Sequence, residues 1–265
     1  MARVGVDLEG ALRARREAGG KAFVPYVTGG APGVDADLLR ALEAAGADAI
    51  EVGIPFSDPV MDGPVIQEAS RRALEAGATP GRVLAEVGEA GLGVPVVVMT
   101  YLNPVLRRGF DRFLGEARAA GVTGAIVPDL PVDEAAEWIR ACAAADVAPV
   151  FLAAPGSREE RLRLVAAASR GFVYCVSTYG VTGPRERIAA TAEALVRALR
   201  PLTDLPLLVG VGIATPAQAA EACRLADGVV VGSALVRALA EGGRGAAIET
   251  ARAFRAAVPG GAGAG

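Results

Sequence analysis

Two hydrophobic patterns alternate along the chain. Short, nearly continuous apolar runs fall at Phe23–Thr28, Ala49–Gly53, Val94–Tyr101, Gly124–Val127, Ala148–Leu152, Phe172–Ser177, Leu207–Val211 and Gly228–Val231. Between them lie Ala/Leu/Arg/Glu segments of helical period: Asp35–Ala45, Val65–Ala76, Phe110–Ala120, Val132–Ala145, Arg158–Ala168, Ile188–Leu199 and Pro216–Leu225. The runs predict strands buried on both faces, and the periodic segments predict helices covering them. A leading helix, Val6–Glu17, and a trailing one, Ala234–Ala257, broken at Gly242-Gly243, bracket the series.

Strand starts recur every ~20–35 residues, the length of a βα unit. Eight such units in 265 residues predict an α/β fold: one (β/α)8 TIM barrel with an extra N-terminal helix and an extended C-terminal helix. A doubly wound open sheet is the alternative. No Ser/Gly/Pro-rich linker divides the chain, so residues 1–265 read as a single domain, with 1–20 as the leading helix and 258–265 as a frayed tail. Hydrophobic residues make up 52% and charged residues 22%, enough for a large core. A net charge of −3 argues against a nucleic-acid or membrane-surface partner. There is no signal-peptide pattern and no 18-residue apolar run, so a cytoplasmic location is expected.

The residues that are missing narrow the chemistry. The chain has no histidine, and Lys21 is its only lysine. That excludes Ser-His-Asp triads, Cys-His pairs and histidine-ligated zinc, and leaves Lys21 as the sole candidate for an imine. The cysteines Cys142, Cys175 and Cys223 are widely spaced, which argues against a zinc site or a disulfide framework. Acid–base work falls to carboxylates, tyrosines, backbone groups or a cofactor.

In a β/α barrel the chemistry sits where the strands end. Strand alternation points Ala49, Glu51 and Gly53 into the barrel and Ile50 and Val52 toward the helices. Glu51 is then an inward carboxylate with small neighbours, costly to desolvate unless paired or used. The loop after it carries Asp58 and Asp62 between Pro55, Pro59 and Pro64, which stiffen it. The bland alternatives are an arginine partner for Glu51 and turn or cap roles for the aspartates.

A second group is glycine-rich: Tyr179-Gly180-Val181-Thr182-Gly183, Gly210-Val211-Gly212-Ile213 and Gly232-Ser233, each following one of the last three strands. Glycines there let backbone N–H groups approach an anion, and a helix starting after the last strand adds its positive end. This points to a phosphorylated substrate; the third glycine of a dinucleotide fingerprint is absent. Tyr101-Leu102-Asn103-Pro104 and Pro128-Asp129-Leu130-Pro131 also place polar groups at the mouth, Asp129 either orienting a substrate or capping the helix at Val132. The segment Thr178–Arg187 is polar, basic and long enough for a lid.

These motifs together resemble the tryptophan synthase alpha chain family, from Phe23-Val24-Pro25-Tyr26-Val27-Thr28 to Val231-Gly232-Ser233-Ala234. The most specific are Glu51-Val52-Gly53-Ile54-Pro55-Phe56-Ser57-Asp58-Pro59 with Asp62-Gly63-Pro64, and Tyr179-Gly180-Val181-Thr182-Gly183. The resemblance implies a lyase of tryptophan biosynthesis that cleaves indole-3-glycerol phosphate to indole and glyceraldehyde 3-phosphate. It implies an α2β2 complex in which indole passes to a beta chain carrying pyridoxal phosphate, with no cofactor or metal in this chain. By the same resemblance Glu51 is the acid/base at indole C3 and the C3′ hydroxyl, and Asp62 accepts the indole N–H. Gly183, Gly212, Gly232 and Ser233 match phosphate-binding positions. Tyr174 and Thr182 lie beside the catalytic groups, and Tyr26, Met99, Ile126, Leu152 and Val211 line the indole pocket. Asp58 and Pro59 face the beta chain. The chain departs from the family pattern at Ala31, Met61, Val211 and Thr178-Tyr179, none of which removes a carboxylate.

The chemistry fits the depleted composition. Once C3 is protonated the indole ring is itself the electron sink, so two carboxylates suffice for a retro-aldol cleavage. A different phosphate-binding barrel, an isomerase or an indole-glycerol-phosphate synthase, is the competing enzymatic reading; the synthase needs a catalytic lysine. A non-catalytic subunit that only activates a beta chain is the reading from another class.

Overall fold

The computed structural model describes residues 5–177 and 185–260. Nine strands alternate with helices: β1 (Ala22–Thr28), β2 (Ile50–Gly53), β3 (Val96–Met99), β4 (Val122–Ile126), β5 (Ala148–Val150), β6 (Leu152–Ala153), β7 (Val173–Val176), β8 (Leu207–Gly210) and β9 (Gly228–Val231). Every recorded pairing is parallel, and the strand order is β5-β4-β3-β2-β1-β9-β8-β7-β6. The two ends of that order, β5 and β6, are separated by Phe151 alone. The sequence predicts one strand here, Ala148–Leu152. It is interrupted because the Phe151 N–H donates to Ser169 Oγ (3.4 Å) while its carbonyl accepts from Tyr174 N–H (3.1 Å). The sheet is thus an eight-fold parallel barrel with one strand in two pieces, and the open-sheet alternative falls.

The helices are α1 (Leu8–Glu17), α2 (Ala36–Ala44), α3 (Pro64–Glu75), α4 (Pro80–Ala90), α5 (Leu102–Arg108), α6 (Phe110–Ala119), α7 (Ala136–Ala145), α8 (Glu159–Ala168), α9 (Arg185–Leu199), α10 (Pro216–Ala222) and α11 (Ser233–Ala257). Two of these go beyond the sequence expectation. Helix α4 starts on Pro80 behind a Thr79 cap whose hydroxyl accepts from Arg82 N–H (3.3 Å). Helix α5 starts where the sequence reads a loop, because Asp129 at the end of β4 caps its first N–H, Leu102, from across the sheet (2.8 Å). The segment predicted as one helix from Val132 is a short 3-10 turn, Val132–Glu134, followed by α7. Helix α11 breaks at Gly243, as its glycine pair predicts.

Alternation sorts the core into an outer and an inner part. Ile50, Val52, Phe23, Val27 and Val98 pack against the helices. Ala49, Val24, Val97, Ile126, Val150, Tyr174, Leu208 and Val230 fill the barrel. Helix α1 lies across the end where the strands begin and sends Leu8 and Leu12 into that inner cluster as a plug. It is held there by ions. Asp48, just before β2, accepts the Phe23 N–H (2.8 Å) and pairs with Arg255 (2.7 Å) and Arg15 (3.3 Å). Asp227, just before β9, accepts the Leu207 N–H (2.9 Å) and pairs with Arg200 (2.9 Å) and Arg16 (3.8 Å). Lys21 is at this floor too, donating to the Ala226 carbonyl (2.8 Å).

Candidate active site

The other end of the barrel is built differently. Glu51 is in β2, in register with Tyr26 of β1 and Val97 of β3, and only 2% exposed. The pleat turns it inward as the alternation predicts. Among the described residues no arginine pairs with it, and Oε2 of Glu51 is buried without a hydrogen-bond partner. The loop between β2 and α3 brings Asp62 over it. That loop folds on its own backbone, with Val60 N–H on the Asp58 carbonyl (2.9 Å) and Asp62 N–H on the Pro59 carbonyl (3.1 Å). Gln67 in the first turn of α3 donates to the Asp62 carbonyl (2.8 Å).

Burial pushes the Glu51 carboxyl up to about 8, and the nearby Asp62 charge adds to the rise. Burial also raises Asp62, to about 6, against the lowering effect of its hydrogen bond to the Tyr101 hydroxyl. Near neutral pH the pair therefore holds a proton on Glu51 and a charge on Asp62, an acid beside an acceptor.

Of the four tyrosines in the chain, Tyr26, Tyr101 and Tyr174 surround this pair. All three phenols are pushed up, first by burial and then by the carboxylates, so they stay protonated. Tyr26 shares a hydrogen bond with Thr28 (3.3 Å). Two strand glycines make room for the rings: a methyl at Gly53 would run into the Tyr26 hydroxyl, and one at Gly210 into the Tyr174 hydroxyl. Gly210, grouped by sequence with the phosphate-binding glycines, therefore serves to seat Tyr174.

The expected pocket residues separate. Ile126 and Tyr174 lie in the inner cluster with the partly buried Met99 and Leu152 packed against it, and Tyr26 adjoins them with Met99, Ile66 and Val236. Val211 belongs to neither group. It follows β8 with a left-handed φ of 63° and is 47% exposed at the mouth. Its carbonyl is held by the Ser177 hydroxyl at the end of β7. Because C=O and N–H point opposite ways across a trans peptide, the Gly212 N–H is turned away from Ser177. Gly212 and Gly232-Ser233 follow the neighbouring strands β8 and β9, and Ser233 opens α11 with its first N–H groups unused by the helix. Thr182 and Gly183, with most of the expected lid, lie outside the described residues. Asp58 is on the exposed tip of the β2–α3 loop beside the half-buried Pro59, and Val60 and Met61 beyond them are 77% and 49% exposed.

Tyr101, which the sequence places at the mouth without a role, contacts the β2–α3 loop. Its phenol accepts the Met61 N–H (2.9 Å), and its ring stacks on Phe56 at 5.3 Å. Asp129 caps α5 rather than the turn at Val132. Among the described residues no group of His, Cys, Asp and Glu could hold a metal, and no helix is long and apolar enough to cross a membrane.

A parallel barrel whose mouth holds two adjacent buried carboxyl groups with no basic partner among the described residues defines an acid–base enzyme of the TIM-barrel class. Sequence comparison gives the family: the model described as tryptophan synthase alpha chain matches residues 12–258, and the chain belongs to that family. The alpha chain of Thermobifida fusca is 50% identical over 221 residues, 81% of this chain and 82% of its own. That of Streptomyces coelicolor is 45% identical over 254 residues, 94% of each. Among solved structures, Mycobacterium tuberculosis tryptophan synthase in space group F222 superimposes with a TM-score of 0.87 at 42% identity, covering 97% of this chain and 99% of that one. The Legionella pneumophila alpha subunit gives 0.86 at 32% identity, covering 94% and 97%. The family is one of carbon–carbon lyases that cleave indole-3-glycerol phosphate to indole and glyceraldehyde 3-phosphate for a beta chain. Lys21 at the opposite end of the barrel removes the lysine-dependent synthase from consideration.

Proposed function

We propose that this chain cleaves indole-3-glycerol phosphate with Glu51 and Asp62 as its catalytic groups. The observation that carries the reading is the Glu51 carboxyl, buried at the mouth with an unpartnered oxygen and its proton retained to about 8. Protonated Glu51 delivers its proton to indole C3. The positive charge that develops on the ring nitrogen is met by ionised Asp62, which accepts the indole N–H. The Glu51 carboxylate then takes the proton of the C3′ hydroxyl. The C3′ oxygen becomes an aldehyde carbonyl, the C3–C3′ bond breaks, and its electron pair restores the indole ring. Glu51 ends as it began, protonated.

Tyr26, Met99, Ile126, Leu152 and Tyr174 supply the apolar walls for the indole, with Val211 at the rim, and Thr182 is a further substrate-binding residue. Gly183, Gly212, Gly232 and Ser233 hold the phosphate by backbone N–H groups, the last two at the start of α11. The exposed tip Asp58-Pro59-Val60-Met61 is the surface offered to a beta chain in an α2β2 assembly, where pyridoxal phosphate belongs to the partner and this chain needs no cofactor. Residues 1–265 act as one barrel domain in the cytoplasm.

The test is indole release from indole-3-glycerol phosphate by the wild type and by Glu51→Gln. Equal rates of release would sink the assignment of Glu51, and no release by either protein would favour a subunit that only activates its partner. For the phosphate, Gly212→Asp puts a like charge against the anion and is expected to raise KM steeply with kcat little changed.

A further inference from the structure

Asp62 rides on a loop, and a loop does not by itself hold a carboxylate to a fraction of an ångström. What fixes it is visible at the end of β3. Tyr101 is 3% exposed and leaves β3 to open α5. The start of α5 is pinned by Asp129, so the tyrosine is set by two neighbouring strands rather than by its own segment. From there it grips the β2–α3 loop twice: its ring stacks on Phe56 (5.3 Å, 29° between planes), and its oxygen accepts the Met61 N–H (2.9 Å). A phenol has one proton to give. With the oxygen already accepting from Met61, that proton is free for the next residue's carboxylate, Asp62.

We propose that Tyr101 is a positioning residue for Asp62, anchoring both arms of the β2–α3 loop and donating to the Asp62 carboxylate so that it stays charged and aimed into the mouth. The inference rests on the reading of Asp62 as a working group of the lyase. The surroundings of Asp62 make the role necessary. Glu51 faces it from β2, Tyr26 from β1 and Tyr174 from β7, and among the described residues no arginine or lysine pairs with it. Burial favours the neutral acid; the Tyr101 hydroxyl is the group that opposes it. Asp129, the other titratable group near Tyr101, is engaged with the Leu102 N–H. A neutral Asp62 would still fill its space but could not balance a charge on the indole nitrogen.

Tyr101→Phe keeps the ring and its stacking and removes only the hydroxyl. The expected result is an acid limb of the kcat/KM profile moved up by about one pH unit, so that activity at pH 6 falls roughly five times further than at pH 8. Titration of the 13C-labelled Asp62 carboxyl, read by NMR with no turnover involved, is expected to move the same way. An unmoved limb and an unmoved titration would overturn the inference, even if the rate fell uniformly. Thermal unfolding of the variant checks that it is folded. Asp62→Asn separates the two claims: if it retains full activity, the role of Asp62 fails; if it is inactive while Tyr101→Phe titrates like the wild type, only the role of Tyr101 fails.

Discussion

The two ends of this barrel treat carboxylates in opposite ways. At the floor, Asp48 and Asp227 each take a backbone N–H from the neighbouring strand and two arginines besides. At the mouth, Glu51 has an oxygen with no partner, and Asp62 has a phenol where the floor has guanidinium groups. The floor carboxylates are neutralised by ions, whereas at the mouth Glu51 is neutralised by a retained proton and Asp62 keeps its charge beside a phenol. The floor carboxylates hold α1 against the barrel, whereas the mouth carboxylates are left to react. The difference teaches where to look: an acid group whose folded surroundings fail to satisfy it is one the structure keeps for something else.

The sharpest way to break the comparison is to change one carboxylate at each end. Glu51→Gln is expected to lower kcat by roughly 10²–10⁴, about 3–5 kcal/mol of transition-state stabilisation, and to leave the cold structure intact. A comparable fall from Asp227→Ala would mean that the two ends are not functionally distinct.

A second experiment reads the same contrast as stability against pH. Glu51 holds its proton to about 8 in the folded chain, against 4.5 for an ordinary glutamate, and Asp62 to about 6. A group that binds its proton more tightly when folded stabilises the fold fully below its unfolded pKa, and that contribution is lost as pH rises through the folded pKa. The wild type should therefore weaken between about pH 4.5 and 8, by on the order of a few kcal/mol, and Glu51→Gln should not share the Glu51 part of that loss. Chemical denaturation at pH 5 and pH 9 measures it. Parallel curves for the two proteins would show that Glu51 is not held neutral. Activity should follow the same two groups as a bell, rising as Asp62 ionises and falling as Glu51 does; the limbs belong to the pair as a unit.

The floor gives a smaller and purely structural effect. Asp227→Ala removes the acceptor of Leu207 N–H and the partner of two arginines. Arg200 and Arg16 are 40% and 28% exposed and can return to water, so the loss should be nearer 2 kcal/mol than the larger cost of a fully buried broken pair. Urea unfolding reads the loss, and kcat on the folded fraction should not change.

How much of this was legible in the sequence depends on whether the cause was local. The alternation at Ala49-Ile50-Glu51-Val52-Gly53 placed Glu51 inside, because a strand face is a period-two property of the chain. The break at Gly243 was equally readable. Helix α5 is not, since its cap comes from Asp129 in the turn after β4, and a local reading carries the apolar run on to Tyr101 instead. For the same reason Tyr101 was noticed as polar but given no role: its partners Phe56 and Met61 are about 40 residues away in sequence. Gly210 was misplaced for a related reason, as a glycine that seats a ring on the next strand looks in sequence like one that approaches an anion. Helix α4 is different. Thr79-Pro80 is a local start signal, and it was overlooked because two internal glycines weaken the helical pattern that follows.

The smallest effect tests whether the mouth also carries backbone strain that the floor avoids. Where helices turn back into strands at the floor, the left-handed positions Gly19, Gly46, Gly91, Gly121 and Gly171 are glycines, and the remaining one among the described residues, Asp146, is of a type that tolerates that conformation. At the mouth the left-handed residue that is not a glycine, among the described residues, is Val211, β-branched and half exposed, with Gly212 left-handed after it. Its conformation is imposed from β7, where Ser177 holds the carbonyl. A branched side chain at φ 63° costs roughly 1–2 kcal/mol, while glycine there costs its own entropy in the unfolded chain, about 0.5–1 kcal/mol. Val211→Gly should therefore stabilise by a net of less than about 1 kcal/mol, since the exposed side chain gives up little packing. If thermal unfolding instead shows a loss, the valine side chain is held by contacts that outweigh its strain. A gain in stability accompanied by a higher KM for indole-3-glycerol phosphate would show that the strain fixes the direction of the Gly212 N–H, and that the mouth gives up backbone stability to keep one donor aimed.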